Sequence, residues 1–269
     1  MNYLLFRYKT IPQMDDCRNL FSCTSKVQRG EYAIKCVIIC TMKASLVKIE
    51  TLAHQTNTFW LQPEVPLKYL PGQFVEVRLI GATTKNLAAK DRKRWFTLSS
   101  SPTEELIAIT TKYNAKSSLF KTHLWELTVG SKVEISQPMG DFVLPRNPKK
   151  QLLFVAGGIG ITPMRSMITW LKDTAQQRHI TCIYAVRGHD HAIFKDLLES
   201  YCADVTLLNA DEGSHLTSGI ISEKIATMNQ PTIYISGPET MVAEMVTELG
   251  ATHDQRRVLT DYFPGYEKF

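Results

Sequence analysis

The chain has 269 residues, 44% hydrophobic and 21% charged, the composition of a globular protein with room for two domains. A formal net charge of +5 favours an anionic ligand or acidic partner, but it is too small and too dispersed to argue for nucleic acid. No window supplies the roughly 18 apolar residues that would span a bilayer, so no transmembrane segment is expected.

Residues 1–41 mix cysteines, aromatics and basic residues without a sustained period and lack the apolar core of a signal peptide. They read as an upstream extension with Met42 as the natural start, or as a genuine but poorly ordered arm. From Met42 the pattern changes. Met42–Glu50 alternates as a strand should, and Thr58–Leu61 offers a second. Short strands follow at Tyr69–Arg78, Trp95–Leu98, Leu106–Tyr113 and Lys132–Ile135, interrupted by one helical stretch at Ser118–Leu127. Many short strands with a single helix predict an antiparallel barrel.

After Pro145-Arg-Asn-Pro148 the rhythm becomes strand–helix alternation. Strands are expected at Gln151–Ala156, Ile180–Val186, Val205–Leu208 and Thr232–Ser236, with helices at Met164–Lys172, Ala192–Tyr201 and Glu239–Leu249. Buried parallel strands alternating with helices predict a doubly wound nucleotide-binding domain. The boundary is therefore expected at 147/148, giving a barrel over 42–147 and an α/β domain over 148–269.

The cysteines carry no metal or disulfide signature. Cys17, Cys23, Cys36 and Cys40 lack Cys-x-x-Cys pairs, and Cys182 sits in an apolar run as a small hydrophobe. Reduced thiols in a cytoplasmic protein without a bound metal fit best.

Four segments carry chemistry. In Arg94-Trp-Phe-Thr97 the arginine can clamp a phosphate and the threonine can offer a hydroxyl to a ring edge, or Arg94 is a plain surface residue. Ser117 or Ser118 caps the following helix, whose amides can also hold an anion. Gly157-Gly-Ile-Gly-Ile-Thr-Pro163 follows a buried strand and opens a helix, with Pro163 in its first turn, where glycines let a ligand approach the backbone. It is not a G-x-G-x-x-G fingerprint, and no acid stands about 20 positions on, at the end of the next strand. Arg187 occupies that region, with His189 and His191 near it. Ser236-Gly-Pro-Glu-Thr-Met241 ends another parallel strand, so it should face the same cleft as Gly157–Pro163, or it is an ordinary strand-to-helix turn.

These segments, with Pro71-Gly-Gln-Phe74, Ser118-Leu-Phe-Lys121, Gln137-Pro-Met-Gly-Asp-Phe142 and the aromatic tail Asp261-Tyr-Phe-Pro-Gly-Tyr266, resemble in their order the ferredoxin–NADP reductase superfamily. The resemblance covers about residues 43–269. It implies a flavin-binding barrel followed by a nicotinamide-binding domain, with FAD and NAD(P)H as cofactors. Arg94 is then expected on a flavin phosphate, Thr97 near the reactive N5, and Phe96 along the ring or ribityl chain. Trp95 and Lys112 join the cofactor contacts, and Ser117 and Ser118 meet the pyrophosphate. Gly157, Gly158, Gly160, Thr162 and Pro163 cradle the nicotinamide dinucleotide, Arg187 lies where a 2′-phosphate could be met, and Ser236, Gly237, Pro238 and Met241 form the far wall. Phe263, and after it Tyr266, are candidates for an aromatic that stacks on the flavin, with core packing as the alternative. Ser236 stands where many relatives carry cysteine, and Ala115 where a glycine is common. The expected activity is hydride transfer from NAD(P)H to flavin, then passage of electrons to a separate acceptor such as ferredoxin, flavodoxin or another redox partner. A regulatory electron-transfer subunit without turnover is the rival, and a nucleotide-binding protein without flavin is a third reading.

Overall fold

The computed structural model describes residues 41–81, 84, 87–114, 116–250, 254 and 257–263. The N-terminal segment 1–40, with its four cysteines, lies outside them, as do Ala115 and Tyr266.

The first half forms six antiparallel strands: β1 (Thr41–Ala53), β2 (Thr56–Pro63), β3 (Phe74–Leu79), β4 (Lys93–Thr97), β5 (Ile107–Lys112) and β6 (Lys132–Ser136), in the order β4-β3-β6-β1-β2-β5. The edges meet. Leu98 bridges Ile109 and the Ser99 amide donates to the Ala108 carbonyl at 2.8 Å, which closes the sheet into a barrel. Val75, Val77, Val133, Ile135, Phe59 and Leu98 fill its interior, and α1 (Leu119–Trp125) plugs it with Phe120 and Leu124. β3 starts later than its residue types predict. Leu70-Pro-Gly-Gln forms a turn in which Gly72 takes φ +98° and the Gln73 amide donates to the Leu70 carbonyl, and an ordinary residue does not fit that backbone.

The second half forms a five-stranded parallel sheet: β7 (Leu152–Gly157), β8 (Ile180–Val186), β9 (Asp204–Asn209), β10 (Thr232–Pro238) and β11 (Val258–Phe263), in the order β11-β10-β7-β8-β9. Alternate residues of β7 face two separate cores. Leu152, Phe154 and Ala156 pack with α2 (Thr162–Asp173) and α3 (Lys195–Tyr201), while Leu153 and Val155 pack with α4 (Ser218–Ala226) and α5 (Glu239–Gly250). The sheet is thus doubly wound, and its order reverses between β7 and β10. Such a switch point leaves a crevice outside the carboxyl ends of the strands.

Two elements were not anticipated from sequence. α4 is short and contains Gly219, so its 3.6-residue period is weak; the Thr217 hydroxyl, accepting from the Ile220 amide at 3.3 Å, is the signal that marks it. β11 exists because β10 offers a parallel partner along its whole length. α3 begins at Lys195 rather than Ala192, since the chain first makes a tight turn at His189–His191 and Phe194 adopts φ +61°.

The two halves are tied by Arg165 of α2. Its guanidinium grips both Glu104 carboxylate oxygens, one of them at 2.9 Å, and donates to the Ser99 carbonyl at 2.9 Å. Beside it the Ser166 hydroxyl donates to the Ser100 carbonyl. No helix among the described residues is long and apolar enough to cross a membrane.

Candidate active site

The crevice at the switch point is shaped by backbone contact. A Cβ at Gly160 would sit 2.1 Å from the Ser236 carbonyl oxygen, and one at Gly157 would sit 2.5 Å from Met241 Sδ. A Cβ at Gly237 would meet Met241 Cε at 2.6 Å. The expectation that these glycines serve ligand approach is therefore incomplete: Gly160 is needed because the turn over Gly158–Ile161 lies directly on the end of β10. Gly158 takes φ +52°, and Thr162 and Pro163 are buried in the first turn of α2.

A shallow cleft opens here between the lobes. Thr56 and Lys112 line it from the barrel; Gly157, Gly158, Arg187, His191 and Pro238 line it from the parallel sheet. Burial, and then the charge of Arg187, pull the Lys112 pKa down. Burial, and then Lys112, do the same to His191, whose Nδ1 is buried without a protein partner. Two cations and a neutral-leaning imidazole make this cleft attractive to an anionic group. Ser236 Oγ, at the end of β10, is likewise buried without a partner.

On the barrel side, Thr97 at the end of β4 donates its hydroxyl proton to Asp261 Oδ2 at 3.0 Å, joining β4 to β11 across the lobe boundary. Burial raises the Asp261 pKa to about 6, opposed by the hydrogen bonds from Thr97 and the Tyr262 amide. The carboxyl thus changes charge near neutral pH. Arg94 donates to its neighbour's carbonyl at Lys93, lies 3.6 Å from Asp91, and stacks over Phe120. Trp95 is half exposed, edge-on to Phe74, whereas Phe96 turns into the barrel core against Phe120. Ser118 caps α1, accepting from the Lys121 amide, and the Ser117 hydroxyl accepts from the Asn114 amide at 2.9 Å.

Residues 154–247 match the family model for the oxidoreductase NAD-binding domain. The ferredoxin reductase component of 3-ketosteroid-9-alpha-monooxygenase from Mycobacterium tuberculosis is 29% identical over 187 residues, which is 65% of this chain and 50% of that protein. Flavohemoprotein A of Dictyostelium discoideum is 24% identical over 194 residues, 67% of this chain and 49% of that one. Among solved structures, ferredoxin-NADP+ reductase from Plasmodium falciparum with 2'P-AMP superimposes with a TM-score of 0.69 at 17% identity, covering 83% of this chain and 97% of that chain. The family match falls on the nucleotide-binding half, and the fold of both halves is that of ferredoxin-NADP+ reductase. The chain spans half or less of the length of the curated relatives it matches first.

The structure brings Lys112, Gly157, Gly158, Arg187 and Pro238 to one cleft, with Gly160, Ser236, Gly237 and Met241 packed behind it. Arg94, Trp95, Phe96 and Thr97 share β4, and Ser117 and Ser118 lead into α1 on the same lobe. Phe263 lies in register with Pro238 and packs against the core of the parallel sheet. Sequence reasoning missed Asp261 and Thr56, whereas His191, named beside Arg187, does line the same cleft. Asp261 was quoted only as the start of an aromatic tail. Its signal was an acid inside the strand-forming run Val-Leu-Thr-Asp-Tyr-Phe, where a carboxylate needs a partner.

Proposed function

We propose that the protein is an NAD(P)H-dependent flavoprotein oxidoreductase, with FAD held by the barrel over 42–147 and the nicotinamide dinucleotide by the α/β domain over 148–269. A hydride passes from the nicotinamide to the flavin, and electrons then go to a separate acceptor such as ferredoxin, flavodoxin or another redox partner, in the cytoplasm. The observation that carries this reading is the Thr97–Asp261 hydrogen bond, which ties the proposed flavin-facing strand to the parallel sheet beside a cationic cleft.

The side chains present fit both groups. Arg94 exchanges the Lys93 carbonyl and Asp91 for a flavin phosphate, a stronger charge-assisted pairing. Ser117 and Ser118 add hydroxyl and amide donors for the pyrophosphate. The half-exposed Trp95 stands on the same face of β4 as the polar edge offered by Thr97, while Phe96, expected along the flavin, is buried in the barrel core against Phe120 instead. Lys112 and Arg187 would neutralise the dinucleotide's phosphates, His191 lines the cleft with an unpartnered Nδ1, and the orphaned Ser236 Oγ lies buried at the end of β10 behind it. Gly157 to Pro163 and Gly237 to Met241 shape its walls. Asp261, poised near neutrality, holds the Thr97 hydroxyl and can exchange a proton through it. Phe263, at the end of β11 and packed against the core of the parallel sheet, is the candidate aromatic that would stand next to the flavin face.

The test is an anaerobic absorption spectrum of the purified protein before and after NADH or NADPH. Flavin bands that bleach support the reading. A protein that neither carries nor takes up FAD would refute it. Arg94→Ala should weaken FAD retention at least tenfold with little loss of fold, because Arg94 lies on the barrel's surface side.

A further inference from the structure

One side chain reaches from the glycine turn to the strand that carries Thr97. Arg165 lies in the first turns of α2, three places after Thr162, where the glycine turn ends. Its guanidinium donates at 2.9 Å to the carbonyl of Ser99, two places beyond Thr97. The same group forks onto both carboxylate oxygens of Glu104 in the barrel, one of them at 2.9 Å. Only 14% of the Arg165 side chain is exposed, so this pairing is not screened as a surface ion pair would be.

The guanidinium is also clasped by two rings, one from each lobe. Its Cζ stands 5.5 Å from the ring centre of Trp60 on β2 and 5.8 Å from that of Phe194, just before α3. Both rings are anchored. Trp60 Nε1 donates to Glu50 Oε2 at 2.9 Å. Phe194 is held at φ +61°, a left-handed conformation that residues with a Cβ rarely adopt and that persists only where the surroundings impose it. It directly follows Ile193, which lines the cleft with His191. Arg165 thus meets the barrel beside Thr97 and the α/β domain beside the cleft wall. Other boundary contacts lack that reach: the Ser166 hydroxyl meets Ser100, and the Thr103 hydroxyl meets Asp173 at the last residue of α2, and none of these four lines the cleft.

We propose that Arg165 is a positioning residue for hydride transfer: it fixes how closely a nicotinamide carried by the α/β domain approaches a flavin carried by the barrel. The inference rests on the function proposed above and deepens it. Transfer needs the reacting atoms about 3–3.5 Å apart, and a misplacement of about 1 Å costs on the order of 100-fold in rate. Because the two ligands belong to different lobes, a shift between lobes alters their separation without touching either binding surface. A planar fork that chelates a carboxylate and stacks between two rings fixes direction as well as distance, whereas a lysine ammonium is a point charge.

The experiment is stopped-flow reduction of the purified flavoprotein by NADH and by NADPH, read as the limiting rate at saturation, beside FAD content and calorimetric affinity for ADP-ribose. Arg165→Ala should lower the limiting rate by about tenfold or more, while FAD content and ADP-ribose affinity stay within about threefold. Arg165→Lys keeps the charge without the fork and should remain about fivefold slow. Phe194→Leu removes only the ring on the α/β side and should slow reduction about threefold, which keeps the test open if Arg165→Ala does not fold. Thr103→Ala breaks a boundary contact outside the cleft and should leave the limiting rate unchanged. An unchanged limiting rate in Arg165→Ala or in Phe194→Leu overturns the inference, as does full recovery in Arg165→Lys. So does a rate that falls only in step with lost FAD or ADP-ribose affinity, or a Thr103→Ala variant as slow as Arg165→Ala. A parent protein that neither nucleotide reduces refutes the proposed function itself, whereas a parent that is reduced no faster than its Arg165→Ala variant refutes this inference alone.

Discussion

The two halves of the cleft are built by different means. In the parallel sheet, the loop from Gly157 to Thr162 is held by backbone packed on backbone, with no room for even a methyl group at Gly160. In the barrel, the groups offered to a ligand are side chains at strand and helix ends, and each has a resident partner: Arg94 on the Lys93 carbonyl, Ser118 on the Lys121 amide, Thr97 on Asp261 across the lobe boundary. A backbone cradle is rigid and pre-shaped but intolerant of substitution. A side-chain site tolerates substitution but must exchange its resident partners when it binds. Changes on the sheet side should therefore appear mainly as lost stability, and changes on the barrel side mainly as altered binding or pH dependence.

The largest effect should come from Gly160→Ala. The added methyl would lie 2.1 Å from the Ser236 carbonyl, so β10 or the turn must shift, at a cost of about 3 kcal/mol in chemical denaturation. An unchanged midpoint would show that the turn is less constrained than its geometry implies. Arg165→Ala should follow, losing about 2 kcal/mol, because it strands Glu104 and the Ser99 carbonyl at the lobe boundary. Faster proteolysis between the lobes would separate this from a general loss of core stability.

Asp261→Asn tests the boundary from the other side, and its sign is opposite. Folding raises the Asp261 carboxyl from 3.8 to about 6, so the ionised form opposes folding, and the penalty sets in as pH rises through that interval. The residue keeps some exposure, which screens the charge, so replacing it should stabilise the protein by about 1–2 kcal/mol at pH 7.5 and by nothing below pH 4. Thermal melts across that range decide it, and a gain that persists at pH 4 would place the cause elsewhere. The smallest effect is expected at Ser236→Ala. Its hydroxyl is buried with no partner, so removal should leave stability unchanged or raise it by less than about 1 kcal/mol. If nicotinamide uses that hydroxyl, flavin reduction slows while the melting temperature holds.

Periodicity made most of the fold legible. Leu152 to Gly157 and Ile180 to Val186 are apolar on both faces because helices cover both, and that pattern exists in the chain before any contact forms. The alternation of Met42 to Glu50 likewise survives into β1, which runs on to Ala53. α4 and β11 escaped because their order depends on neighbours: α4 has a short, glycine-containing period, and β11 is an edge strand whose register comes from β10. The candidate site divides in the same way. Arg94, Thr97 and Gly157 stand in recognisable local strings, whereas Asp261 meets Thr97 across a separation of 164 residues.

By itself the sequence determined the two rhythms of the chain, the glycine turn at the switch point, and which cations and hydroxyls stand at the ends of strands. These follow from local chemistry: side-chain period, turn-forming residues and helix caps act over a few positions. Only the tertiary structure decided that Gly160 answers to β10 and that Asp261 closes on Thr97. Each of those meetings joins residues from different strands, and strand order and register are set by burying two faces of a sheet at once, a condition that no short window of sequence contains.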